Sequence, residues 1–241
     1  MPKIDVAVLP DRMPPRSPDA PPGVAVVIDV LRATTMMTAL LDAGAAGIRA
    51  VRSVDEARSI KARDPSVLLA GERGGLALDG FDMGNSPAGI DHGFVRGRTV
   101  VLTTTNGTRA VEMVPPSMPC LMLSLTNLDA VAERVRTIGA DTLIVCSGTD
   151  GGRSSEDELA AGLLVDRLHG WAMTDAAENT ADLATGSIGA SGGIEAAVRR
   201  SFHAERLVTL GFDADVRFCA QLSVTRTVPA LNRRSGLIVP G

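Results

Sequence analysis

Short apolar runs rich in valine, leucine and isoleucine alternate along the chain with longer stretches whose apolar positions recur every three or four residues. The runs at residues 4–9, 24–30, 48–51, 67–70, 99–103, 120–123, 142–146 and 236–239 read as strands, several of them apolar enough to be buried on both faces. The longer stretches read as helices, and some carry start and stop signals. Ser53 with Glu56 forms a capping box for a helix that should stop at Asp64-Pro65, and Ser155 with Glu158 forms another ahead of LAAGLLVDRL. Asn127 or Asp129 opens the helix LDAVAERVRTIG, which Gly139 closes.

This alternation predicts an α/β fold of three layers, α/β/α, with a largely parallel or mixed central sheet covered on both faces. Beyond Gly170 the pattern weakens. Residues 171–193, rich in Ala, Thr, Ser and Gly, predict irregular helix and loop, with helices following near 195–210 and 214–220. Residues 10–23 hold six prolines and read as a connection. With no internal repeat or evident boundary, residues 1–241 form one domain in this reading, in which the part from about 171 onward could be a smaller lobe.

Composition narrows the picture. At 45% hydrophobic and 2% aromatic, the core is ample but aliphatic, and few rings remain for stacking nucleic-acid bases. A net charge of -4 with interspersed signs argues against a phosphate-backbone partner. No apolar run is long enough for a bilayer, and MPKIDVAVLPDR lacks the basic-then-apolar layout of a leader, so a cytoplasmic protein without membrane partners is expected. Cys120, Cys146 and Cys219, odd in number and set in apolar stretches, read as buried free thiols.

Candidate chemistry collects where strands end. VVIDV runs into Leu31-Arg32-Ala33-Thr34-Thr35, VLLAG into Glu72-Arg73-Gly74-Gly75, VVLTTT into Asn106-Gly107-Thr108-Arg109, and LIVCSG into Thr149-Asp150-Gly151-Gly152. In a parallel sheet these four ends converge on one rim, where open α/β sheets place ligands. Arginine forks hold phosphate or carboxylate, glycines let backbone N–H groups approach an anion, and carboxylates beside hydroxyls suit Mg2+. A small, multiply anionic, phosphorylated molecule is the natural guest.

Other readings fail on spacing. Cys146 and Arg153 stand one residue too far apart for a cysteine-phosphatase loop. SIGASGGIEAA lacks the Walker lysine and the GxGxxG spacing, no G-x-S-x-G elbow occurs, and His92, His169 and His203 show no zinc spacing.

The motifs VVIDVLRATT, AGERGG, GFDMGNSP, TTTNGTRA and CSGTDGGRSSEDELAAG, in that order, together with DVRFCAQ, resemble the 2-phosphosulfolactate phosphatase (ComB-type) family over nearly the whole chain. The resemblance implies a Mg2+-dependent phosphatase that converts 2-phospho-3-sulfolactate to 3-sulfolactate on the route to coenzyme M, with related 2-phospho acids as alternative substrates. In this reading Asp29 and Arg32 are catalytic, and Glu72, Asp150 and Glu156 bind metal. Substrate binding falls to Arg73, Asn85, Ser86, Asn106, Gly107, Thr108 and Arg109. Asp29 could attack phosphorus, or it could hold the metal or orient the attacking water. The competing class is a non-catalytic binder of phosphorylated acids, and a homodimer is a further expectation.

Overall fold

A computed structural model describes residues 1–14 and 23–241, so most of the proline-rich connection expected at 10–23 lies outside the described residues. In chain order the elements begin with β1 Lys3–Ala7, β2 Val24–Ile28, α1 Ala33–Asp42, β3 Gly47–Ala50, α2 Val54–Arg63, β4 Leu68–Arg73 and β5 Leu76–Ala77. There follow α3 His92–Val95, β6 Thr99–Thr103, α4 Gly107–Met113, β7 Cys120–Leu123, α5 Leu128–Ile138, β8 Thr142–Cys146 and α6 Ser155–Arg167. The chain continues through β9 Ala172–Met173, α7 Asp175–Ser191, α8 Ile194–Arg199, α9 Phe202–Thr209, α10 Asp213–Cys219, β10 Pro229–Asn232 and β11 Leu237–Pro240.

The strands form one mixed sheet in the order β5-β4-β6-β3-β11-β10-β7-β2-β8-β1-β9, with helices on both faces, a three-layer α/β/α arrangement. Strand β2 shows why it reads as continuously apolar. Val24, Val26 and Ile28 join one core with α5, α6 and the C-terminal helices, while Ala25 and Val27 join another with α1, so both alternating faces are buried. Val198, Leu207, Val216 and Cys219 of α8 to α10 belong to the first of these cores. Helix α1 is buried from Ala33 to Leu41, and its apolar side chains Met36, Met37 and Leu40 share the second core with Ile48, Leu68 and Leu102 from β3, β4 and β6.

The sheet is mixed, as expected, but its strands do not all aim their ends the same way. Two parallel blocks, β4-β6-β3 and β7-β2-β8-β1, are joined through the antiparallel hairpin of β10 and β11, which meets β7 only at Ala230 opposite Leu121 and β3 only at Ile238 opposite Ile48. In a flat sheet the ends of β6 and β2 would lie five ladder steps apart and, with three antiparallel pairings between them, on opposite rims, so at least about 24 Å from each other. Instead Gly107, just after β6, packs directly on Asp29, just after β2. The sheet therefore curls, and this curl brings the strand ends together.

Local signals behave unevenly. The Ser53 hydroxyl caps α2 by accepting the Glu56 N–H at 3.1 Å, and Gly139 closes α5 in the left-handed region at φ 63°. The box assigned to Ser155 and Glu158 does not form: Ser154 is the residue ahead of α6, and the Glu158 carboxylate is taken by Arg153 at 2.7 Å. Residues 175–191 are regular helix rather than irregular chain. Their weak propensity is overridden by close packing on α6, where a Cβ at Gly162 would lie 2.5 Å from the Ala184 Cβ and from the Thr180 carbonyl oxygen. Among the described residues no helix is long and apolar enough to cross a membrane.

Candidate active site

Two tight turns frame a cleft at the curled edge. Glu72 pairs with Ala77 and Arg73 with Leu76, leaving Gly74 (φ 62°) and Gly75 (φ 89°) as a two-residue turn whose positive φ values favour glycine. Thr149 and Gly152 exchange backbone hydrogen bonds at 2.9 Å around Asp150 (φ 52°) and Gly151 (φ 80°), so Asp-Gly makes a second such turn after β8. Between them lies a narrow cleft lined by Asp29, Arg32, Glu72, Asn85, Thr104, Thr105, Asn106 and Asp150, and closed from α9 by His203 and Arg206.

Asp29 sits at the base. Its Oδ1 accepts the Ala33 N–H at 3.2 Å, at the start of α1, and its backbone is tied to Thr34, whose N–H donates to the Asp29 carbonyl at 3.0 Å. Gly107 has to be glycine here, because a Cβ would stand 2.4 Å from the Ala33 Cβ and 2.5 Å from Asp29 Oδ2. Burial pushes the Asp29 carboxyl up to about 6; His203 and the Ala33 N–H favour its charged form, while the charges of Glu72 and Glu156 oppose it. Behind it, Asp157 accepts from the Val30 N–H at 2.9 Å, the Ser147 hydroxyl at 3.1 Å and the Gly148 N–H at 3.2 Å, stitching the end of β2 to the end of β8. Burial, aided by the charges of Asp29 and Glu156, raises the Asp157 carboxyl well above the usual carboxylate range.

Glu72 organises the opposite wall. Its Oε1 accepts from the N–H and hydroxyl of Thr105 at 2.8 and 2.9 Å, and its Oε2 accepts from the Gly75 N–H at 2.7 Å. Arg32 is buried and held in place: Nη1 donates to Asp215 Oδ2 at 2.7 Å, Nη2 donates to the Gly75 carbonyl at 2.7 Å, and the guanidinium stacks 4.5 Å from the Phe212 ring. Asp215 in turn accepts from the Ser86 hydroxyl at 2.7 Å and the Ala88 N–H at 3.1 Å.

Of the residues singled out from the sequence, the cleft gathers Asp29, Arg32, Glu72, Asn85, Asn106 and Asp150, with Gly107 against Asp29. Glu156 lines the adjoining cavity, 3.6 Å from His203 Nδ1. Burial raises its carboxyl, but His203 and Ser154 favour the charged form and bring it below its ordinary value. Arg73, Arg109, Ser86 and Thr108 do not line the cleft. Arg73 donates to the Thr103 hydroxyl at 2.9 Å and the Arg52 carbonyl at 3.1 Å; Arg109 pairs with Asp11 at 2.8 Å; Ser86 supports Asp215; Thr108 donates to the Thr104 carbonyl at 3.1 Å. His203 and Arg206 escaped sequence reasoning, and Asp215, which opens the motif DVRFCAQ, was given no role there. The available signal was the three-residue spacing of His203 and Arg206 on one short helix, which puts both on one face. Cys120, Cys146 and Cys219 are buried free thiols whose protonated form burial favours, which leaves none as a ready nucleophile.

Among the described residues no group of three or more His, Cys, Asp or Glu side chains stands ready to hold a metal. The lining does fit a hard cation completed by water and substrate oxygens. Its acidic, amide and hydroxyl donors are all oxygen, and the buried Asn85 Oδ1 has no hydrogen-bond partner.

The family model described as 2-phosphosulpholactate phosphatase matches residues 9–234. A probable 2-phosphosulfolactate phosphatase of Deinococcus radiodurans is 42% identical over 87% of this chain and 88% of its own length. One of Carboxydothermus hydrogenoformans is 36% identical over 98% of this chain and 96% of its own, and one of Thermotoga petrophila is 42% identical over 86% and 88%.

Proposed function

Since the chain belongs to the 2-phosphosulpholactate phosphatase family, we propose that its cleft hydrolyses the phosphate monoester of 2-phospho-3-sulfolactate or a related 2-phospho acid, with Asp29 as the group that acts on the attacking water. The protein is a phosphoric monoester hydrolase. The observation that carries the assignment of Asp29 is its placement: a buried carboxyl raised to about 6, at the point where four strand ends meet beside a fixed arginine. A carboxylate poised near neutrality accepts a proton from water far better than one at its ordinary value.

The remaining roles follow from position. Arg32, pinned on two sides, keeps further N–H groups for phosphate oxygens, and its rigidity means little order is lost on binding. The Asn106 to Gly107 start of α4 adds backbone dipoles beside Asp29. Mg2+, held by Glu72 and Asn85 Oδ1 in this proposal, would neutralise phosphate charge and leave Asp29 free to act on water. Asp150 turns to Arg206 and Glu156 faces the next cavity, which favours Asn85 over those two as the donor beside Glu72.

The test is release of inorganic phosphate by purified protein from phosphosulfolactate, phospholactate and phosphoglycolate, with and without EDTA. Hydrolysis abolished by EDTA and restored by Mg2+ is expected. Full activity in EDTA would remove the metal, and no release from any 2-phospho acid would leave a binder in place of a phosphatase.

A further inference from the structure

Phosphosulfolactate carries a phosphate and a carboxylate on one carbon and a sulfonate on the next, so its recognition calls for a cation set apart from the one that meets the phosphate. Among the described residues the arginines lining the cleft are Arg32 and Arg206. Arg73 and Arg109, the other forks near the strand ends, are turned elsewhere. Arg32 lies deep beside Asp29, with both terminal nitrogens engaged and its side chain 2% exposed. Arg206 differs in each respect. It reaches the cleft from α9 with its side chain 36% exposed, lies over bare Gly74, where a Cβ would be 3.5 Å from Nη2, and donates from Nη1 to Asp150 Oδ2 at 2.9 Å.

That partner is displaceable. Asp150 is 57% exposed at the tip of its turn, and an ion pair in such surroundings holds weakly against a competing anion. Arg206 and His203, three residues apart on α9, also face the cleft together, so the guanidinium is carried on a helix and needs only to exchange one carboxylate for another acid.

We propose that Arg206 is the specificity-determining residue of the cleft: it releases Asp150 to bind the acidic group on C3 of the substrate, while the phosphate lies between Arg32 and Asp29. This rests on the phosphatase reading above and adds to it the residue that separates sulfonated from unsulfonated 2-phospho acids. Arg206→Gln keeps the helix and removes the charge. Asp150→Asn removes the competitor and leaves the arginine.

The experiment measures kcat and KM for phosphosulfolactate and phospholactate, which differ at C3 alone, in the wild type and both variants. In parallel, calorimetry measures binding of 3-sulfolactate and lactate. For Arg206→Gln the ratio of kcat/KM between the two substrates should fall by about tenfold, through KM, as expected for loss of one charge-assisted hydrogen bond. In Asp150→Asn the ratio should rise. Binding of 3-sulfolactate should weaken by a similar factor in Arg206→Gln, whether or not the esters turn over. An unchanged ratio in Arg206→Gln, or unchanged 3-sulfolactate binding, overturns the role of Arg206. Failure of the wild type to hydrolyse either ester overturns the phosphatase reading instead, and the calorimetry then still decides Arg206.

Discussion

Replacing Asp29 with asparagine should stabilise the protein while removing its activity. The amide side chain keeps the shape and the acceptor for the Ala33 N–H, but carries no charge into a site that disfavours one. Burial raises the carboxyl from 3.8 to about 6 in the fold, so between those values the folded chain keeps a proton that the unfolded chain has lost. Stability therefore falls as pH rises through that window, and the full cost of ionising Asp29 is present above about 6. At 1.36 kcal/mol per unit, the shift corresponds to about 3 kcal/mol. The variant avoids that cost and also relieves Asp157, whose carboxyl is raised in part by the Asp29 charge. In urea titrations the midpoint of Asp29→Asn should exceed that of the wild type by on the order of 1 M at pH 7.5. The gap should close on approaching pH 4. A midpoint equal to or below the wild type at pH 7.5, or a gap that does not vary with pH, would refute the claim that the fold strains against this charge.

Other consequences can be checked as simply. Gly107→Ala must push Ala33 or Asp29 aside and should cost about 1 to 3 kcal/mol, read as a lower Tm, together with a fall in turnover. Asp215→Asn breaks a buried ion pair and should destabilise by about 3 to 5 kcal/mol in urea unfolding, with KM rising as Arg32 loses its anchor. Arg73→Gln and Arg109→Gln should each change kcat/KM by less than about threefold, because neither side chain lines the cleft and Arg109 holds only an exposed ion pair. Treating the native protein with iodoacetamide should leave turnover intact, as all three thiols are buried.

The strands were legible because β-branched, doubly buried runs such as 24–28 have few alternatives, and residues 99–103, 120–123 and 142–146 are strands from end to end. The meeting of strand ends was also legible, though for an incomplete reason. Parallel direction alone would not bring Glu72 and Asn106 to Asp29, since β4 and β6 lie across the antiparallel hairpin from β2; the curl through β10 and β11 does. Strand β10 itself, Pro229–Asn232, is four residues opening on a proline and carries almost no local signal. Arg73 and Arg109 illustrate the limit of reading a site from proximity in sequence. In a strand, neighbours point to opposite faces, so with Glu72 in the cleft Arg73 turns away. On α4, Arg109 lies two positions past Gly107, which faces Asp29, and so sits on the far side of the helix. Arg206 and His203 reach the cleft from more than fifty residues beyond the last strand-end motif, a placement that only tertiary packing supplies.

Turnover by Asp29→Asn, in protein shown by the urea titration to be folded, tests the role of the cleft most directly. Release of phosphate from 2-phospho-3-sulfolactate at saturating Mg2+ should fall by about a hundredfold or more relative to the wild type, the scale of a lost general base. Turnover equal to the wild type under those conditions would contradict the assignment of the cleft around Asp29 as the place where the ester is hydrolysed.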